Sequence, residues 1–102
     1  MSVSKFTASY YIEIFRDIPA DEWTTGAFTR GHKCCALGHL GGIKDKSGQV
    51  AGLIQLFDRY LGVKVGKVND GSYPQYYEKT PKQRILARLY TIKAIRQQRK
   101  LT

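Results

Sequence analysis

Two thiols and two imidazoles fall close together in His32-Lys33-Cys34-Cys35 and His39. A helix beginning at Cys34 would lower a thiol's pKa through its free backbone amides and dipole, and would offer donors to an anion or oxyanion. In that arrangement Cys34 or Cys35 is the nucleophile, His32 the base, and Asn69 or Asp70 the group that orients an imidazole. Such a set belongs to a cysteine-dependent hydrolase or transferase. The competing reading is structural, because buried cysteines more often pack than react and the local signatures of cysteine proteases are missing. By type the same residues match a tetrahedral zinc set. Adjacent cysteines diverge on a helix, however, and without a C-x-x-C pair no metal site is expected. No cofactor is expected either.

A second group suits a nucleotide. Trp23 supplies a face for base stacking, Thr24 and Thr25 hydroxyls for phosphate, Arg30 and Lys33 charge, and Asn69 and Asp70 partners for base or ribose edges. Against this stands the plainer expectation that Trp23 anchors the core and that Asn69-Asp70-Gly71 is a turn whose side chains bond their own backbone. The third group is the basic C-terminal stretch, with eight cations and no acid over residues 79–100. Lys82, Arg84, Arg88, Lys93, Arg96, Arg99 and Lys100 would contact the phosphates of DNA or RNA. By helical angle they scatter around the axis, and no zinc-finger spacing, RNA-recognition aromatic signature or KH-type glycine loop accompanies them.

Charge supports an anionic partner: 17 Lys and Arg against 8 Asp and Glu leave +9 on 102 residues. At 42% apolar and 12% aromatic, the chain is too hydrophobic for a disordered tail. Its length suits one globular domain over 1–102, with the last turn, about 96–102, as a basic tail. Apolar runs are too short to cross a bilayer, and residues 1–11 lack the apolar stretch of a signal peptide. With only two cysteines, side by side, no disulfide framework follows. A cytoplasmic location without a membrane partner is therefore expected.

The elements that must position these groups are mainly helical, with a short strand or strand pair. Tyr11, Ile14, Phe15 and Ile18 share one helical face over 7–18, with Thr7 as N-cap, Phe6 packing back on the first turn and Pro19 as the stop. Residues 23–30 read as extended or turn-rich, and Gly31-His32-Lys33 as a turn. A short helix follows over Cys34–Leu40, whose interior Gly38 implies close approach by another backbone, a ring or a ligand. Lys44 to Gly48 reads as a polar loop with Ser47 capping a helix near 49–61. That helix buries Val50, Leu53, Ile54, Phe57 and Leu61 and stops at Gly62. Val63, Val65 and Val68 suggest a strand with a bulge at Gly66. Thr80-Pro81-Lys82-Gln83 is a capping box opening the last helix, with Ile85, Leu86, Leu89, Ile92 and Ile95 buried.

Trp23-Thr24-x-Gly26-Ala27-Phe28-x-Arg30, then Cys35-Ala36-Leu37-Gly38-x-Leu40 and later Asn69-Asp70, together resemble a family of small uncharacterised bacterial and phage proteins. These carry W-T-x-G-A-L-x-R, C-A-L-G-A-L and W-N-D segments ahead of a C-terminal helix. The resemblance spans about residues 21–95, with Val68 in place of tryptophan and His39 in place of alanine. It implies a phage or bacterial origin, an intracellular location in a bacterial host cell, and clustering of Trp23, Gly26, Cys35, Gly38, Asn69 and Asp70. Small phage proteins commonly act by binding. The favoured expectation is thus a non-enzymatic protein that captures a phosphate-bearing small molecule, most plausibly a nucleotide, in the manner of anti-defence sequestration of a host signal. Nucleic-acid binding through the last helix and cysteine chemistry are the alternatives. A host protein docking on the loop of Tyr73, Tyr76 and Tyr77, and a homodimer, are further partners.

Overall fold

The computed structural model describes residues 6–41 and 46–101. Helix α1, Ala8–Arg16, starts where Thr7 Oγ1 accepts the Tyr10 amide at 3.3 Å. Phe6 stacks on Tyr11 from the preceding position, a hydrophobic staple that sets the entry angle. A single 3₁₀ turn at Ala20–Glu22 leads to Trp23, after which strands β1 (Thr29–Arg30) and β2 (Lys33–Cys34) pair antiparallel. In register, Thr29 faces Cys34 and Arg30 faces Lys33 across the turn Gly31-His32. Gly31 takes φ +64°, which a two-residue hairpin turn demands at that position.

Helix α2 runs from Ala36 to Gly41, and α3 from Lys46 to Leu61. The loop expected at Lys44-Asp45 lies outside the described residues. Since α3 is already helical at Lys46, Ser47 sits within its first turn rather than at its cap. On α3 the buried stripe is Gln49, Leu53, Leu56 and Phe57. Ile54, expected inside, is 45% exposed, because it falls outside the Gln49, Leu53, Leu56 and Phe57 stripe that α3 buries.

The expected valine strand is corrected. Val65–Asp70 forms helix α4, with Val65, Val68 and Asn69 buried. What looked like a phase slip across Gly66 is an i, i+3 helical spacing, and Gly71 closes the helix in the left-handed conformation at φ +76°. The last helix, α5, spans Pro81–Leu101. Thr80 Oγ1 accepts the Gln83 amide at 3.1 Å, as the capping box requires. Helix α5 continues to Leu101, with residues 97–100 exposed.

Among the described residues, the protein is thus mostly helical, with five α-helices and one two-stranded antiparallel sheet. Helix α5 packs against α1, α4, α3 and α2. Its Ile85, Leu89 and Ile92 join Tyr11, Phe15, Leu40, Leu53, Phe57 and Val68 in one core. The radius of gyration, 13.2 Å, is that of a compact chain of about this length. No described helix is long and apolar enough to cross a membrane.

Candidate nucleic-acid interface

Helices α1 and α5 run antiparallel. Lys82 Nζ, at the start of α5, donates to the carbonyl of Arg16 at the end of α1 (2.9 Å). At the other end Thr7, Ala8 and Ser9 line a cleft of 190 Å³ with Lys93, Arg96, Gln97 and Lys100. On the opposite flank of α5, Arg96 closes a second cleft, of 170 Å³, against Gln55, Arg59 and Tyr60 of α3. Tyr60, Arg96, Arg99 and Lys100 line a third, of 230 Å³. Arg96 lines all three, so the clefts adjoin around its side chain and together make up the trough at the C-terminal half of α5.

Arg59, Lys93, Arg96, Arg99 and Lys100 line it, and none of the described lining residues is acidic. The Arg99 guanidinium lies over the Tyr60 ring, 4.9 Å from its centroid. The positive end of the α1 dipole adds to the same field. Residues that scatter by helical angle are therefore gathered by their neighbours, since α1 and α3 flank α5 and supply the missing walls. Arg59, Tyr60, Thr7 and Ser9 were not legible as site residues. Nothing in the linear sequence links α3 or the start of α1 to Arg96.

The proximal cations of α5 have other work. Arg84 is 8% exposed, donating through Nε to Val68 O (3.0 Å), Nη1 to Glu78 O (2.8 Å) and Nη2 to Asn69 O (2.7 Å). It fastens the C-terminal carbonyls of α4 and cannot face a phosphate. Arg88 pairs with Glu78 at 2.8 Å and lies over Tyr76, 4.0 Å from the centroid. Tyr73 packs edge-on against Tyr76 and accepts the Lys64 amide, whereas Tyr77 is fully outward.

The nucleotide group is brought together, but as a structural clasp. Asn69, 1% exposed, accepts the Ala36 amide on Oδ1 (3.0 Å), while Nδ2 donates to Thr24 O (2.9 Å) and Asp70 Oδ1 (3.0 Å). Asp70 Oδ1 also accepts the Gly26 amide at 3.0 Å. Two adjacent side chains thereby tie the Thr24–Gly26 loop to the start of α2. Trp23 is 4% exposed, edge-on to Phe15, tilted over His39, and donates to Ile18 O. It presents no face for a base. Thr25 is half-buried, and Arg30 and Lys33 are exposed on the hairpin. The adjoining cleft, of 360 Å³, is lined by Gly26, Ala27, Phe28, Cys35, Leu37, Gly66 and Asp70, with no cation among them.

The cysteine arrangement is also corrected. Helix α2 begins at Ala36, not Cys34. Cys35, buried, occupies the cap, its Sγ accepting the Gly38 amide at 3.5 Å. With Asn69 on the Ala36 amide, two of the helix's leading donors are already engaged. Asn69 and Asp70 bond to the loop and α2 rather than to a histidine. His32 is exposed at the hairpin turn, while the His39 ring packs against Trp23. Burial lowers the His39 pKa from its ordinary value, opposed by the Glu22 carbonyl and carboxylate. No cluster of three or more metal-ligating side chains occurs among the described residues.

No protein-family model matches the chain, and comparison with curated proteins and with solved structures gives no significant match. The likeness in the W-T-x-G-A and C-A-L-G segments rests on those residues alone.

Proposed function

We propose that the protein is a non-catalytic binding module for single-stranded nucleic acid, held along the trough centred on Arg96. The observation that carries this reading is the gathering of Arg59, Lys93, Arg96, Arg99 and Lys100 along joined clefts without an acid among their described lining residues. Each cleft, at 170, 190 and 230 Å³, is smaller than the roughly 300–1,000 Å³ that enclose a small ligand. An open chain of them suits a polymer that lays successive phosphates along the surface. The Arg99 guanidinium, backed by the Tyr60 ring, offers a plane of the kind on which unpaired bases stack. Helix α5 is flanked by α1 and α3 and does not project as a groove-reading helix would, which favours a single strand over duplex. Capture of a nucleotide beside Trp23 and Asn69 draws less support, since those groups are occupied within the fold. A cytoplasmic location accords with a polynucleotide partner.

The test is fluorescence anisotropy with a labelled oligo-dT strand across a salt series. If all five cations displace counterions, log Kd should change with log salt at a slope of about 3.5, so a fourfold rise in salt weakens binding roughly 100-fold. Arg96→Gln with Arg99→Gln should reduce the slope to about 2 without altering the melting temperature. A flat salt dependence, or a slope unchanged in that variant, refutes the assignment.

A further inference from the structure

A further groove lies between α3 and residues 63–67, and we infer that it receives an amphipathic helix of another protein, apolar along its inner face and acidic along the edge that meets Lys64 and Lys67. The groove, of 520 Å³, is walled by Ile54, Gln55 and Asp58 of α3 and by Val63 to Lys67, with Leu37 of α2 beside them; Gln55 also borders the trough. Leu37 and Gly66 also border the Phe28 cleft, so the two join into one strip. Phe28 and Ile54 are 64% and 45% exposed. Apolar side chains in a groove rimmed by Lys64 and Lys67 suit the inner face and charged edge of an amphipathic helix.

Chemistry and geometry select the occupant. The main walls are the helices α3 and α4, and a groove between two helices accepts the side-chain ridges of a third. Lys64 and Lys67 are exposed on one rim, so acidic residues on the incoming helix are matched there. A second copy is disfavoured because each carries +9, a net repulsion that Asp58 in each groove offsets only in part. A small amphiphile would keep one side in water, whereas ligands of that kind are usually about 70–90% enclosed. Gly66 forms part of the floor, and a Cβ there meets nothing within 4 Å. Filling that position blocks the groove without disturbing the core.

The experiment selects displayed helix-forming peptides of about 15 residues, roughly four turns, on the folded full chain, then measures each enriched peptide by anisotropy. Enriched sequences should carry apolar residues at spacings of three and four with Asp or Glu alongside. Gly66→Leu should weaken them at least about tenfold with the melting temperature kept, as should Lys64→Glu with Lys67→Glu, while Arg96→Gln with Arg99→Gln changes affinity by less than about twofold. That last variant separates groove binding from acidic peptides held in the cationic trough. The proposal is overturned by no enrichment, by peptides indifferent to Gly66→Leu, or by peptides lost with the trough arginines. It is equally overturned by a dimer in sedimentation velocity that Gly66→Leu dissolves, or by a long-chain fatty acid that binds in the groove with wild-type affinity for no peptide.

Discussion

Replacing Arg84 by methionine keeps an unbranched apolar stem as far as the Nε position and removes the guanidinium from the junction of α4, α5 and the Glu78 loop. Three carbonyls lose a charged donor, those of Val68, Glu78 and Asn69. Val68 O keeps the Gly71 amide at 3.2 Å, so the loss concentrates on the other two. A hydrogen bond from a charged donor contributes about 1.5–3 kcal/mol net, which sets the gross loss at roughly 3–6 kcal/mol. Methionine recovers part of this, because the desolvation cost of a buried guanidinium disappears. The expected net destabilisation is about 3 kcal/mol, or a fall of roughly 12–24 °C in melting temperature for a domain of this size. Trp23, the single tryptophan and buried in the core, reports urea unfolding by its fluorescence. Arg84→Lys keeps the charge but loses the three-way fork, and should fall about midway. Below the transition, Arg84→Met should bind oligo-dT with a salt slope within about half a unit of the wild type. A loss under about 1 kcal/mol at unchanged denaturant sensitivity, or a markedly lower slope, would refute the inward role of this residue.

Gly38→Ala brings a Cβ onto the Phe28 carbonyl oxygen and within 2.9 Å of its carbon. It should cost about 2 kcal/mol in urea unfolding although alanine is the better helix former. Gly66→Ala, with open space at its Cβ, should instead gain up to about 1 kcal/mol. His39 titrates below its ordinary value of 6.5 because burial opposes its charge. Unfolded protein therefore binds more protons, and the stability from neutral His39 is complete above 6.5 and declines as pH falls below it. Urea midpoints between about pH 5 and 8 should show that decline in the wild type and a shallower one in His39→Phe; equal slopes would count against it.

Helix identity and ends are largely local properties, and the sequence was informative there. Thr7 and Thr80 had the right neighbours to cap α1 and α5, and the left-handed Gly71 follows Asn-Asp as turn chemistry requires. Gly38 announced a close approach because an interior glycine weakens a helix, and only backbone contact with Phe28 explains it. Where the reading went astray, two local patterns competed on equal terms. Val63, Val65 and Val68 fit a bulged strand as well as a helix, and burial of Val65 and Val68 on one face of α4 decided between them. Ile54 lies on an apolar stripe of the sequence, yet the stripe that α3 buries, Leu53, Leu56 and Phe57, passes beside it.

Residue order alone carried the net charge, the predominance of helical spacing and the concentration of cations in the last quarter of the chain. It could not determine which cations face water. Arg84 and Arg96 are alike as residues on one helix, but α4 presents bare carbonyls to Arg84, while α1 and α3 leave a cleft around Arg96. Asn69 and Asp70 likewise read as a turn or as ligand groups. The approach of the Thr24–Gly26 loop and the α2 amide turned them into a clasp. A side chain's type sets which bonds it can make, and the partners that arrive from distant parts of the chain determine which of them form.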